Sequence, residues 1–161
     1  MPEQTTISIR KALAIDQDGI LACLHRAFAP YECDYTPAAY QDTVLTAESL
    51  AMRMQEMQVL VAVLESENTI TGTLAFNLLN GGEGHLRGMA VLPEWQGQGI
   101  SEQLLSYAEQ QLRSLNCTRI TLDTTAPLRR AINFYKRHGY VKTGKQIDFF
   151  GMPLFEYEKY L

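Results

Sequence analysis

Cysteine is scarce in this 161-residue chain, and what there is of it is badly spaced. Cys23, Cys33 and Cys117 are odd in number and make no CxxC pair, which excludes a disulfide framework and leaves no zinc site, so no metal is expected. Positive charge is also short, with 14 Lys and Arg against 18 Asp and Glu and a net charge of −4. A dedicated nucleic-acid binder carries a basic face, so nucleic acid is not an expected partner, whereas a cationic acceptor is compatible with this balance. No apolar run is long enough to cross a bilayer and no N-terminal signal sequence stands out, so no membrane is expected and the expected location is cytoplasmic. Repeats, linkers and low-complexity stretches are missing too. A hydrophobic content of 46% is enough for one substantial core, and a single domain over residues 1–161 is the working expectation.

The organising stretch is His85 to Leu115, read as a short strand, a glycine-bearing turn and a long amphipathic helix. Pro93 ends the strand, Gly97 and Gly99 keep the turn backbone unencumbered, and Leu104, Leu105, Ala108, Leu112 and Leu115 recur on one helical face. Free N–H groups at a helix start, with the positive end of the macrodipole behind them, form a receptor for phosphate oxygens. A P-loop is excluded because Ile100 and Ser101 follow Gly99 with no Lys. A dinucleotide fingerprint is excluded because Glu102 stands where its third glycine belongs.

Before this stretch, residues 6–10 alternate as a half-buried strand, and Asp16 is placed to cap a helix with Ile20, Leu21, Leu24 and Phe28 on its apolar side. From Ala29 to Thr46 the periodicity disappears in an irregular segment rich in aromatics and acids, long enough to favour a binding role. Thr46 then caps a helix carrying Leu50, Met54 and Met57. Residues 59–64 and 70–79 read as an antiparallel pair turning at Glu67-Asn68, and the glycines at 81, 82 and 84 lead into the strand at 85–91. After the long helix come a strand at 119–123, a helix from about 127 to 138 ended by Gly139, and a closing antiparallel pair at 140–145 and 150–159. The strand–helix–strand connection requires a parallel pair. The pattern is therefore α+β, a mixed sheet with helices packed against it.

Gln96-Gly97-Gln98-Gly99-Ile100-Ser101, directly after Met89-Ala90-Val91-Leu92-Pro93, resembles the acetyl-CoA-binding motif Q/R-x-x-G-x-G/A of the GNAT superfamily of N-acetyltransferases. Ser101 stands where that pattern has Gly or Ala, and its hydroxyl can itself donate to a phosphate. Glu102 suits the helix dipole but repels a pyrophosphate unless its side chain points away. Downstream, Ala131 to Tyr140 (AINFYKRHGY) is similar to the second family signature, A-x-x-F-Y-x-x-x-G-F/Y. The resemblance implies a mostly antiparallel mixed sheet of about 6–7 strands, with flanking helices, in which a parallel pair splays apart to admit the pantetheine arm. It implies acetyl-CoA as cosubstrate, with coenzyme A as product. Met89, Ala90 and Val91 then offer main-chain groups to the pantetheine, and the backbone from Gly97 through Gln98, Gly99, Ile100 and Ser101 to Glu102 holds the pyrophosphate, with Gln96 shaping the turn. Asn133 matches a position whose amide contacts the pantetheine, and Lys136 or Arg137 can reach a 3′-phosphate, although a solvated helix face explains them equally well.

The chemistry implied is direct attack of an amine on a thioester in a ternary complex. An alkylamine with a pKa near ~10.4 is neutral in only about one molecule in 2,500 at pH 7, which adds roughly 4.6 kcal/mol to the barrier unless the site removes the proton. His85, four residues before Met89, is the candidate general base, with Glu83, Asp123, Glu32, Asp34 and Asp42 as competitors. Tyr135 falls at the family's general-acid position, to protonate the departing thiolate. Tyr31, Glu32, Asp34 and Tyr35 are the expected acceptor-binding residues, suggesting an enclosed pocket for a small cationic amine. A protein or peptide N-acetyltransferase, and a non-catalytic acyl-CoA sensor on the same fold, are the competing readings. A homodimer would be compatible with the aromatic C-terminal strand.

Overall fold

The structure is a computed structural model and describes residues 5–161. Among these residues seven strands form one sheet in the order β1-β2-β3-β4-β5-β7-β6. The strands are β1 (Ile7–Lys11), β2 (Gln58–Leu64), β3 (Thr69–Leu79), β4 (Glu83–Val91), β5 (Arg119–Thr124), β6 (Val141–Phe149) and β7 (Met152–Tyr160). Five α-helices accompany them: α1 (Gln17–Phe28), α2 (Pro37–Thr43), α3 (Ala47–Glu56), α4 (Ile100–Ser114) and α5 (Arg129–Arg137). Every pairing is antiparallel except β4 with β5. This is the mixed α+β sheet expected from the sequence. Among the described residues no helix is long and apolar enough to cross a membrane.

Both faces of the sheet are covered, and strict alternation along the central strands decides which side chain goes where. In β2, Val59, Val61 and Val63 pack with Ile20, Leu24, Phe28 and Leu50 from α1 and α3, whereas Leu60 and Ala62 pack with Leu104, Leu105, Ala108 and Leu112 of α4. A leucine removed completely from water contributes about 1.5–3 kcal/mol, so these two layers fasten the helices to the sheet. Helix α4 ends sooner than its leucine pattern suggests. Leu115 is its C-cap and 51% exposed, because Asn116 takes a left-handed φ of 62° and turns the chain toward β5.

Two expectations near the N-terminus are corrected. Asp16 occupies the N-cap of α1, but its buried carboxylate accepts from the Leu13 N–H at 2.7 Å and pairs with Arg10 at 2.6 Å instead of capping the helix. The segment read as irregular between residues 29 and 46 is largely helical. Residues Ala29–Asp34 form a 3₁₀ helix, and Thr36 caps α2 by accepting from the Ala39 N–H, with Pro37 at the first helical position. There the proline begins a helix, since the N–H it lacks has no intrahelical partner at that position anyway.

The feature that makes room for a ligand is the parting of β4 from β5. Only Glu83 to Leu86 pair with Arg119 to Leu122; β4 then runs on to Val91 without β5 beside it. A bulge helps to bend it away, since Gly88 and Met89 together oppose the single residue Leu74 of β3, and Gly88 has a left-handed φ of 70°. The 3₁₀ segment and α2 lie over the cleft and are tied to its far wall. Tyr35 Oη and Thr125 Oγ1 are 2.7 Å apart, and Thr36 Oγ1 donates to the Phe150 carbonyl at 2.7 Å in the turn between β6 and β7.

Candidate active site

A cleft of about 650 Å³ opens where β4 and β5 diverge. At one end is the glycine turn, with Gly97 at φ 77° and Gly99 at φ 82° as the N-cap of α4. Both are left-handed conformations that a side chain would strain, and a Cβ on Gly99 would meet no protein atom, so the backbone there is open on its outer side. The first N–H groups of α4 lie before any intrahelical acceptor. Gln96 braces this turn: its amide donates to the Val91 carbonyl at 3.0 Å, and its Oε1 accepts from Arg130 at 3.0 Å. A guanidinium thus stands beside the glycines. Ser101 and Glu102 also line the cleft, and Glu102 leans toward His138, 3.8 Å away, so its charge is drawn toward α5.

The donor set fits a phosphate-bearing ligand that continues along β4. Met89, Ala90 and Val91 line the cleft on the strand edge that β5 has left, and the buried hydroxyl of Thr124 on β5 faces the same space with no partner. Of the other residues expected at the cofactor, Gln98 does not line the cleft; its amide folds back on the Glu94 carbonyl at 3.0 Å. The α5 stripe that faces inward comprises Arg130, Ala131, Phe134, Tyr135 and Arg137, and Asn133 and Lys136 fall beyond it, exposed to solvent. Of the two cations expected there, Arg137 lines the cleft and Lys136 does not, and Arg130 joins it.

Deeper in, the register of the parallel pair sets the polar groups. His85 lies opposite Thr121, and Asp123, two residues on, shares that face of β5. His85 Nδ1 is 2.9 Å from Thr121 Oγ1, and His85 Nε2 is 3.7 Å from an Asp123 carboxylate oxygen. Thr121 Oγ1 is also directed at the Gly84 carbonyl, so it accepts from Nδ1–H and leaves Nε2 unprotonated, an assignment inferred from this network. Burial lowers the His85 pKa from its ordinary value, against the opposing pull of Asp123, and burial raises that of Asp123 against His85. A neutral imidazole at pH 7 follows. Glu83 is engaged by Arg119 at 2.8 Å and Asp42 by Arg87 at 2.6 Å, which removes both from competition as free bases.

Tyr135 is buried between Phe134 and Tyr140, with ring centroids 5.3 and 5.6 Å away. Its hydroxyl has no hydrogen-bond partner among the described residues, and burial pushes its pKa well above the ordinary phenol value, so it is a proton donor at every physiological pH. None of the three cysteines lines the cleft; Cys23 is buried in the core and its thiol is pushed up to about 12 by desolvation.

At the acceptor end Tyr31 and Tyr35 line the cleft, but Glu32 and Asp34 do not, because the 3₁₀ turn directs these exposed acids outward while Tyr35 packs with Ala39 and Met152. Two residues not anticipated from the sequence are here. Trp95 lines the wall and packs against both core layers. Arg53 of α3 also lines the cleft and is only 9% exposed. Its signal was in the sequence, since a charged residue sits between Leu50 and Met57 on the helix face that is otherwise apolar.

Comparison with known proteins bears on this cleft. A family model described as the acetyltransferase (GNAT) family matches residues 23–140. The acetyltransferase Atu2258 of Agrobacterium fabrum is 30% identical over 84 residues, covering 52% of this chain and 59% of that protein. The aminoalkylphosphonate N-acetyltransferase of Salmonella typhimurium is 39% identical over 57 residues, 35% of this chain and 37% of that protein. The matched stretches thus span less than two thirds of these curated relatives. Among solved structures, the PaiA N-acetyltransferase of Thermoplasma acidophilum in complex with coenzyme A superposes with a TM-score of 0.81 over 97% of this chain and 99% of that one, at 19% identity, a likeness of fold.

Proposed function

The chain belongs to the acetyltransferase (GNAT) family, and from that we propose that it transfers an acetyl group from acetyl-CoA to the primary amine of a small molecule, by direct attack in a ternary complex. The observation that carries this reading is the pairing, in one cleft, of a neutral His85 with a protonated and unpartnered Tyr135, beside a glycine turn braced by Gln96 and Arg130. Acetyl-CoA, when bound, supplies the activated acetyl group and the sulfur that departs. The α4 N–H groups and Arg130 hold its pyrophosphate, and the edge of Met89 to Val91 that β5 leaves unpaired, where Gln96 already takes the Val91 carbonyl, holds its pantetheine.

His85 accepts a proton from the incoming ammonium at Nε2, while Nδ1–H stays on Thr121 and Asp123 stabilises the imidazolium that forms. Tyr135 donates its hydroxyl to the sulfur as the carbon–sulfur bond breaks. Reference values put full transfer from phenol to thiolate uphill by roughly 2 kcal/mol, and the raised pKa of Tyr135 makes it steeper. Its contribution is therefore a hydrogen bond that strengthens on the developing negative charge. The proton balance closes over the turnover: the ammonium loses two protons, one to His85 before attack, which passes on to solvent, and one from the tetrahedral adduct as it collapses, which ends on the departing sulfur while Tyr135 hydrogen-bonds to it.

A small acceptor is supported by the cover over the cleft, where Tyr35 and Thr36 tie the 3₁₀ segment and α2 to Thr125 and Phe150; an extended peptide needs an open groove. The Salmonella relative, by its name, acetylates a small amine. The test is thiol release from acetyl-CoA over a panel of small amines, amino acids and short peptides. Tyr135→Phe is expected to lower kcat by about a hundredfold or more at unchanged acetyl-CoA affinity. Turnover of peptides in preference to every small amine would overturn the acceptor class, and tight coenzyme A binding with no release from any amine would leave the sensor reading.

A further inference from the structure

Three charged side chains are buried among the described residues, and two of them are answered. Asp16 pairs with Arg10, and Glu109 accepts from Lys159 at 3.1 Å and from Tyr140 at 3.1 Å. The third is Arg53, which is 91% removed from solvent by its 9% exposure and has neither a hydrogen bond nor an ion pair among the described residues. Burial, and the like charge of Arg87, lower its pKa to about 10 against the weaker pull of Asp42 and Glu56, so it remains a cation at neutral pH. Asp42 does not neutralise it, being held by Arg87 at 2.6 Å. Burying an unpaired guanidinium is strongly unfavourable, and this one stands on the wall of the cleft.

The backbone opposite has been shaped to accommodate this group. Gly88, at the bulge of β4, has a left-handed φ, and a Cβ there would lie 2.8 Å from Arg53 Nη1. Any other residue would displace the guanidinium from the cleft wall. Gly88 lies between His85, the base, and the Met89 to Val91 edge, so Arg53 is placed at the acceptor end. The phosphates of acetyl-CoA have their own cation at the glycine turn, Arg130, with Arg137 further along the same cleft wall.

We propose that Arg53 binds an anionic group carried by the acceptor itself, so that the substrate is a small molecule with both a primary amine and a carboxylate or phosphonate. The oxyanion meets the guanidinium in a charge-assisted, two-point contact while the amine is presented to His85. This rests on the acetyl-transfer reading, and it replaces the expectation of a purely cationic acceptor held by Glu32 and Asp34.

The test measures equilibrium binding by calorimetry to the full chain saturated with coenzyme A, using β-alanine, aminoethylphosphonate and propylamine, with acetyl-CoA turnover run in parallel. The anionic amines are expected to bind about ten to a hundredfold more tightly than propylamine. β-Alanine and aminoethylphosphonate distinguish a carboxylate from a phosphonate preference. Arg53→Met, which keeps the packing of the stem, should abolish the difference without changing coenzyme A affinity or propylamine binding. Arg53→Lys should keep part of it, and Gly88→Ala should weaken it with Arg53 still present. Propylamine bound as tightly as either anion, anions bound equally by wild type and Arg53→Met, or a loss of coenzyme A affinity in Arg53→Met would each overturn the assignment. Since binding is read without turnover, an intact anion preference with no thiol release would instead overturn the acetyl-transfer reading and leave the anion site standing.

Discussion

At the scale of the residue, two groups in the cleft have a protonation set by burial and not by a charged partner. His85 loses its proton more readily than a free imidazole because desolvation outweighs Asp123, while Tyr135 keeps its own because burial disfavours the phenolate. If His85 is the base, kcat/KM should fall on the acid side with an apparent pKa below 6.5, since the folded site lowers it. Asp123 pulls that value up, so Asp123→Asn should move the limb further toward acid, and His85→Gln should remove it with a loss of about a hundredfold or more in rate. A pH–rate profile of the two variants settles the role: a limb that survives His85→Gln but disappears in Asp123→Asn would make the carboxylate the base. These two residues were legible in different measure. His85 and Asp123 were both named from the sequence, but that they face one another depends on a strand register that spacing alone does not supply. Arg53 was not anticipated, although it is a charge on an otherwise apolar helix face, and its lack of a partner among the described residues is a property of the folded surroundings only.

At the scale of the element, periodicity identified the strands and α4 because their side chains are sorted by burial, which leaves a period of two or of about 3.6 in the sequence. It failed between residues 29 and 46, where short helices answer to capping and to contacts with the β6–β7 turn and bury few apolar groups. The signal was local: Thr36 followed by Pro37 is an N-cap and a first-turn proline. Thr36 does two jobs, accepting from the Ala39 N–H and donating to the Phe150 carbonyl. Thr36→Ala should therefore cost about 1–2 kcal/mol of stability. Hydrogen exchange should quicken over residues 36–43 while α4 is unchanged; equal acceleration in both would mean that this cover is not a separate unit of stability.

At the scale of the whole molecule, helices on both faces hold a sheet that is continuous from β1 to β4 and again from β5 to β6, but joined across the middle by only four residue pairs. In mechanical terms this is a hinge line with an open seam. An unpaired strand edge is ordinarily a hazard at the margin of a sheet, where it recruits other chains; here the edge of Met89 to Val91 is kept inside, roofed by α2 and walled by α5. A ligand that hydrogen-bonds to that edge acts as an eighth strand and stiffens the joint between the two halves. Coenzyme A at about a hundred times its Kd should then raise the unfolding free energy by about 2.7 kcal/mol, with slowed amide exchange concentrated at residues 87–91 and 97–103. Protection confined to the glycine turn would show that the strand edge is not used. The chain's resistance to unfolding and to proteolysis would then follow the supply of the ligand that fills the seam.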